Sequence, residues 1–213
     1  MIRADLLTLR NVWLAAAFTA ALGACQTQLA PMPAAAVDPG IGSEANIESL
    51  TAVIARAPND PEGYNVRGSA YGRAGMYREA MADFNRAVEI DPNFSRAYAN
   101  RALVQRRNGN VAEALADYNR AIQADSRYAA AYVGRGNIYR QQGRLDLALA
   151  DYNAAVQIDP TDAQAFHNRG LVYQAQGQHP VAIEDFTRSI GLSPRSAEPY
   201  DGRGLSYLAL NDP

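Results

Sequence analysis

Apolar and polar positions along this chain recur with a fixed period of 34 residues. Tyr64, Tyr98, Tyr132, Phe166 and Tyr200 form one column. Arg67, Arg101, Arg135, Arg169 and Arg203 form a second, and Gly68, Ala102, Gly136, Gly170 and Gly204 follow one residue behind. Five aligned copies of three neighbouring columns define a tandem repeat. A period of this length means stacked copies of one supersecondary unit, each burying its apolar face only against its neighbours.

The spacing within one copy predicts two helices. Residues Pro61 to Ala74 carry Tyr64, Gly68 and Tyr71 on one face, and Gly75 breaks the run. A second helix is predicted from about Arg78 to Ile90, with Ala80, Phe84, Ala87 and Val88 on its apolar face. Asp91-Pro92 is expected to stop it, because proline lacks an N–H and restricts the residue before it. Small residues at the eighth, twentieth and twenty-seventh positions, such as Gly68, Ala80 and Ala87, mark where the helices should cross. Aromatics at the fourth, eleventh and twenty-fourth positions are expected to fill the space between helices. Ten of the twelve tyrosines sit in these columns, as core packing or as a binding box.

The order of these columns resembles the tetratricopeptide repeat (TPR), W/Y-x2-L-G-x2-Y…A-x3-F…A…P. The resemblance implies an all-α fold, a TPR α-solenoid in which antiparallel helix pairs wind into a right-handed superhelix. Copies fall at 61–94, 95–128, 129–162 and 163–196, and residues 197–213 supply the first helix of a fifth. Residues 44–60 read as a lone second helix that caps the first copy, with Leu50, Val53, Ile54 and Pro58 in register. Three departures stand out: Gln105 for an aromatic, Ser126 for the terminating proline and Ser189 for alanine. Pro180, read as the first residue of a helix, has a counterpart in Pro213, which is expected to open a further helix in a longer natural chain.

The seventh position, usually apolar in the family, is always Arg. The twenty-third is Asp83, Asp117, Asp151 and Asp185. Pairing of each Arg with an Asp of its own or the adjacent copy is one reading. A ladder of arginines facing a polyanion is the other.

The amino terminus has a different character. Arg3 and Arg10 precede the apolar run Val12 to Leu22, too short to span a bilayer. Residues 1–24 therefore read as a secretory signal. Leu22-Gly23-Ala24-Cys25 resembles a bacterial lipobox, and Cys25 is the only cysteine. The resemblance implies lipidation at Cys25; an ordinary signal peptide cut near Ala24 is the alternative. More than one acyl chain gives stable anchoring. Gln26 points to the outer rather than the inner membrane by the enterobacterial sorting rule. Residues 25–43, rich in proline, glycine and small side chains, read as a flexible tether of about 25 Å that holds the repeats in the periplasm.

The formal net charge is −2, which gives no global case for nucleic acid. All 20 basic residues are Arg, so bidentate pairing with carboxylates is available throughout. The second copy is the most basic, with six arginines against three carboxylates. No HExxH, CxxC, GxSxG or Walker loop occurs. Gly134-Arg135-Gly136 and Gly202-Arg203-Gly204 begin like a dinucleotide fingerprint but lack its third glycine and lie inside predicted helices. The chain therefore reads as non-catalytic, with no cofactor and no metal site.

The resemblance implies a concave groove lined by the first helices. Transferred column by column, its partner-binding candidates are Asn65, Ser69 and Arg73 in the first copy and Arg96, Asn100, Arg106 and Arg107 in the second. Asn137, Arg140, Gln141, His167, Asn168 and Gln174 follow in the third and fourth. Asn and Arg suit a peptide backbone and a carboxylate. The expected function is a periplasmic adaptor or scaffold lipoprotein that binds envelope proteins or peptides, linking cell-wall-remodelling enzymes or proteases. Its membrane contact would be through the lipid anchor only, and homodimerisation stays open. The alternatives are an assembly component of a secretion, pilus or outer-membrane machine, or an enzyme with a further carboxy-terminal domain.

Overall fold

A computed structural model describes residues 44–210. The signal segment, Cys25, the tether and Pro213 lie outside the described residues. The described chain is a run of ten helices: α1 (Glu44–Arg56), α2 (Pro61–Arg73), α3 (Tyr77–Ile90), α4 (Ser95–Arg107) and α5 (Val111–Ala124), then α6 (Ala129–Gln141), α7 (Leu145–Ile158), α8 (Ala163–Ala175), α9 (His179–Leu192) and α10 (Glu198–Ala209). Even-numbered helices are the first helices of the repeats and odd-numbered ones the second. The fold is a TPR α-solenoid.

Two kinds of corner build the array. After each complete first helix a glycine takes a left-handed conformation, Gly75 at φ 77° and Gly143 at φ 71°. The chain closes there in a Schellman turn: Met76 N donates to Tyr71 O at 2.9 Å and Gly75 N to Gly72 O at 3.3 Å. The corner after α3, α5 and α7 is an Asx turn, in which Asp91, Asp125 and Asp159 accept from the backbone N–H of Asn93, Arg127 and Thr161. Proline is thus not required for the stop, although α9 ends at the same register before Ser193-Pro194 with no aspartate there. With Ser126 in place of proline, α5 still ends at the same register as α3, because the aspartate makes the turn. Two starts also shift by one residue: α3 begins at Tyr77 and α9 at His179, before Pro180.

The core lies between paired helices. Ala80, Ala87, Ala114, Ala121, Ala148, Ala155 and Ala182 are fully buried, and Ser189, the exception in its column, donates to Ala163 O at 2.8 Å. Phe84, Tyr118, Tyr152 and Phe186 are packed inside. The eighth position leaves little room for a side chain: a Cβ on Gly68 would sit 2.8 Å from the Phe84 ring and one on Gly136 2.9 Å from Tyr152, whereas the second repeat fits a fully buried Ala102 there. Only the twenty-fourth column is wholly core. Aromatics of the fourth and eleventh columns are mostly half-buried, because they flank the arginines described below. Each first helix touches the next first helix, as α2 does α4 and α4 does α6, whereas consecutive second helices do not meet among the described residues. The first helices therefore line the inner side of the array.

Candidate functional site: the inner face and the seam behind it

Behind the inner face runs a seam built around the seventh-position arginines. Arg67, Arg101, Arg135 and Arg169 each donate Nε and Nη2 to both oxygens of Asp83, Asp117, Asp151 and Asp185, at 2.6–2.9 Å. The pair lies within one repeat. The remaining nitrogen, Nη1, reaches back to the preceding second helix: to Thr51, Asn85, Asn119 and Asn153 at 2.7–3.0 Å. Each arginine thus holds three helices together. Aromatics one turn to either side sandwich Arg67, Arg135 and Arg169, with Tyr132 and Tyr139 at 5.7 and 6.0 Å from the Arg135 guanidinium; Arg101 has Tyr98 on one side and Gln105 on the other. The carboxylate hydrogen bond raises the pKa of each guanidinium above the ordinary arginine value, against the lowering by burial. These side chains are committed to the fold, so they form no ladder toward a polyanion.

The partners Asn85, Asn119 and Asn153, with Thr51 and Thr187, were missed from sequence. Their own 34-residue spacing was the available signal. Arg203 has the Thr187 contact at 3.3 Å but no carboxylate.

The structure gathers eight of the thirteen sequence-predicted groove residues at two places. Around α2 and α4, Asn100 donates Nδ2 to Asn65 Oδ1 at 2.8 Å and to Ser69 Oγ at 3.3 Å. Ser69, Arg73, Asn100 and Arg107 border a hollow of about 120 Å³ floored by Phe84, Leu103 and Val104. Its two charged side chains are both guanidiniums. Arg73 makes no hydrogen bond or ion pair, and Arg107 only a long 3.5 Å contact with the Tyr77 hydroxyl.

Around α6, α8 and the start of α10, Arg140, His167 and Asn168 border a larger cleft of about 650 Å³. Asp159, Asp162 and Glu198 also line it. Asp159 and Asp162 hold backbone N–H groups, whereas Glu198 makes no hydrogen bond or ion pair. The His167 ring lies 5.7 Å from Phe186, and burial lowers its pKa, with Glu198 opposing and Arg140 reinforcing the shift. Asn168 is only 5 % exposed and its Nδ2 has no partner.

The other candidates are placed elsewhere. Arg96 pairs with Glu62 at 2.7 Å and covers Phe94. Asn137 accepts from the Tyr152 hydroxyl at 2.8 Å, and Gln174 donates to Gly202 O and Ser206 Oγ, both at 2.9 Å. Gln141 is exposed and unbonded. Arg106 borders neither hollow, but its charge acts on Tyr118 and Tyr152, whose hydroxyls burial pushes to higher pKa. Glu198 and Leu171 were not singled out from sequence, although they occupy the second and ninth positions of their repeats.

Among the described residues no group of three or more His, Cys, Asp or Glu could hold a metal ion. No described helix is long and apolar enough to cross a membrane.

Comparison with known proteins agrees with this architecture. Tetratricopeptide-repeat models match residues 61–94, 84–116 and 163–196, and a TPR-repeat model matches 136–177; together they cover more than half the chain. The chain is 41 % identical over 49 residues to a heat shock protein sti1 homolog of Schizosaccharomyces pombe, a match covering 23 % of this chain and 8 % of that protein. Among solved structures it is similar to YrrB, described as a TPR protein with an unusual peptide-binding site. There the TM-score is 0.61 at 20 % identity, covering 78 % of this chain and 86 % of that one. It is also similar to PilF of Pseudomonas aeruginosa, with TM-score 0.67 at 25 % identity, covering 71 % and 69 %.

Proposed function

The chain belongs to the tetratricopeptide-repeat family, and on that premise we propose that it is a non-catalytic adaptor gripping envelope proteins or peptides in the groove of its first helices. Proteins of this family are generally interaction scaffolds. The observation that carries the reading is a contrast in partners. The seam arginines each meet a carboxylate, whereas Arg73 and Arg107, at groove positions, meet none. Two guanidiniums beside an apolar floor suit a carboxylate-bearing segment.

In this reading the signal segment, the lipobox and Cys25 tether the repeats to the periplasmic side of a bacterial membrane, the outer one by Gln26. Two measurements test it. In-cell crosslinking and capture of the full-length protein is compared between wild type and Arg106→Glu/Arg107→Glu; specific envelope proteins should disappear from the variant. Partners that persist would move the binding surface off the groove. Membrane fractionation of Cys25→Ser should release the chain to the soluble periplasm, and an unchanged membrane fraction would contradict the anchor.

A further inference from the structure

Gly72 stands at the twelfth position of its repeat, where the other copies carry Arg106, Arg140, Gln174 and Leu208. The fold does not call for glycine there. Gly72 lies in the last turn of α2, and a Cβ on it would meet Val104 Cγ2 at 3.8 Å, an ordinary contact. Gly68, four residues earlier, has no such room. Glycine is also a poor helix former. What Gly72 contributes is the absence of a side chain.

Gln174 shows where that side chain would go. It is half-buried and crosses to the next first helix, where its Nε2 donates to Gly202 O and Ser206 Oγ, both at 2.9 Å. Gly202 and Ser206 are the sixth and tenth residues of their repeat. Across from Gly72 the same two positions are Asn100 and Val104, and both line the hollow of about 120 Å³. The hollow is therefore the seat of a missing twelfth-position side chain. Phe84, Leu103 and Val104 floor it, and the exposed Arg73 and Arg107 stand at its rim.

We infer that this hollow is a subsite for one glutamate side chain of a bound peptide segment. The methylene stem lies against Leu103 and Val104, in the place that Gln174 takes between α8 and α10, and the carboxylate meets Arg73 and Arg107. An aliphatic stem with an anionic end matches an apolar floor beneath two guanidiniums. A wholly apolar side chain would leave both cations without a partner, and aspartate, one methylene shorter, covers less of the floor. This rests on the groove-binding reading above and names the residue that the α2–α4 step takes.

The test uses the intact chain, labelled with nitrogen-15, and two decapeptides of alanine, serine and glycine, capped at both ends, that differ only in a central Glu or Gln. Titrations are followed by backbone amide shifts. The Glu peptide should move the Gly72, Leu103 and Val104 amides and bind roughly tenfold tighter than the Gln peptide. Gly72→Gln supplies the missing side chain from the protein itself and should abolish those shifts. Arg107→Gln should bring the two peptides to within roughly twofold of each other, and it carries the same test if Gly72→Gln disturbs the rest of the spectrum. Equal affinity of the two peptides for the wild type overturns the glutamate subsite, as do shifts confined to other inner-face residues; groove binding stands in both cases. A preference for Glu that survives both variants overturns it as well. No inner-face shift with either peptide overturns the groove reading together with this one.

Discussion

The seam and the inner face lie on opposite sides of the same first helices, and they follow different rules. Along the seam every complete repeat is a copy: one arginine, one aspartate, one amide or hydroxyl from the helix before, and distances that vary by a few tenths of an ångström. On the inner face the repeats diverge, although the second and fourth share Asn100 and Asn168 at the sixth position and leucine at the ninth. The fifth position is Asn65, Ala99, Val133 and His167 in turn, and the ninth is Ser69, Leu103, Asn137 and Leu171. The seam joins each unit to its neighbours, so it must be compatible with every junction. The inner face is under no such demand and is free to differ, which is what recognition of an asymmetric ligand needs.

The largest effect should come from cutting the seam. Arg135→Leu leaves Asp151 nearly buried without its counter-ion and should destabilise the chain by about 3 kcal/mol in chemical denaturation. Arg203→Leu, which removes no carboxylate partner, should change stability by less than about 0.5 kcal/mol. Equal losses for the two would show that the Arg–Asp pair is not what holds the junction. Next in size is overpacking at the crossing point. Gly136→Val places carbon within 3.2 Å of Asp151 Cβ and closer to Tyr152, and should cost about 2 kcal/mol in the same assay.

Asn119→Ala removes only the reach of Arg135 to the preceding helix. A loss of about 1 kcal/mol is expected, and an unchanged midpoint would reduce the inter-repeat contact to incidental proximity. The smallest effect belongs to the inner face. Because the folded pKa of His167 is lowered, the unfolded chain binds the proton more readily as pH falls below the ordinary histidine value. Stability should therefore decline on acidification through that range, toward the lowered folded pKa. His167→Gln should show a shallower decline in melting temperature between about pH 7.5 and 5.5, and parallel declines would remove the histidine from the account.

The repeat made the fold legible, because columns at fixed spacing identify helices, crossing points and turns without any tertiary information. The Arg and Asp columns were legible as a pair, but not as a three-helix junction. The third member, Asn85 and its equivalents, has a column of its own that composition alone does not connect to arginine. Proline at Asp91-Pro92 drew attention away from the aspartate, and the two are separated by α5, which stops at Asp125 without proline, and α9, which stops before Ser193-Pro194 without aspartate. Gln105 shows the limit in the other direction. Its position marks a missing aromatic, yet only the packing reveals that its Oε1 is buried without a partner. On the inner face, register says which residues line the groove. It does not say that Asn137 and Gln174 are held by neighbours while Asn168 is not, because those bonds depend on what the adjacent repeat offers.

The central claim is that partners meet the first helices and not the second. A photocrosslinking side chain placed in cells at Gln141, exposed on α6 at a groove position, and separately at Gln157, exposed on α7, tests it without knowing the partner. The account predicts discrete protein adducts from Gln141 and none from Gln157. Adducts from Gln157 with none from Gln141 would contradict it and move the interaction to the outer face.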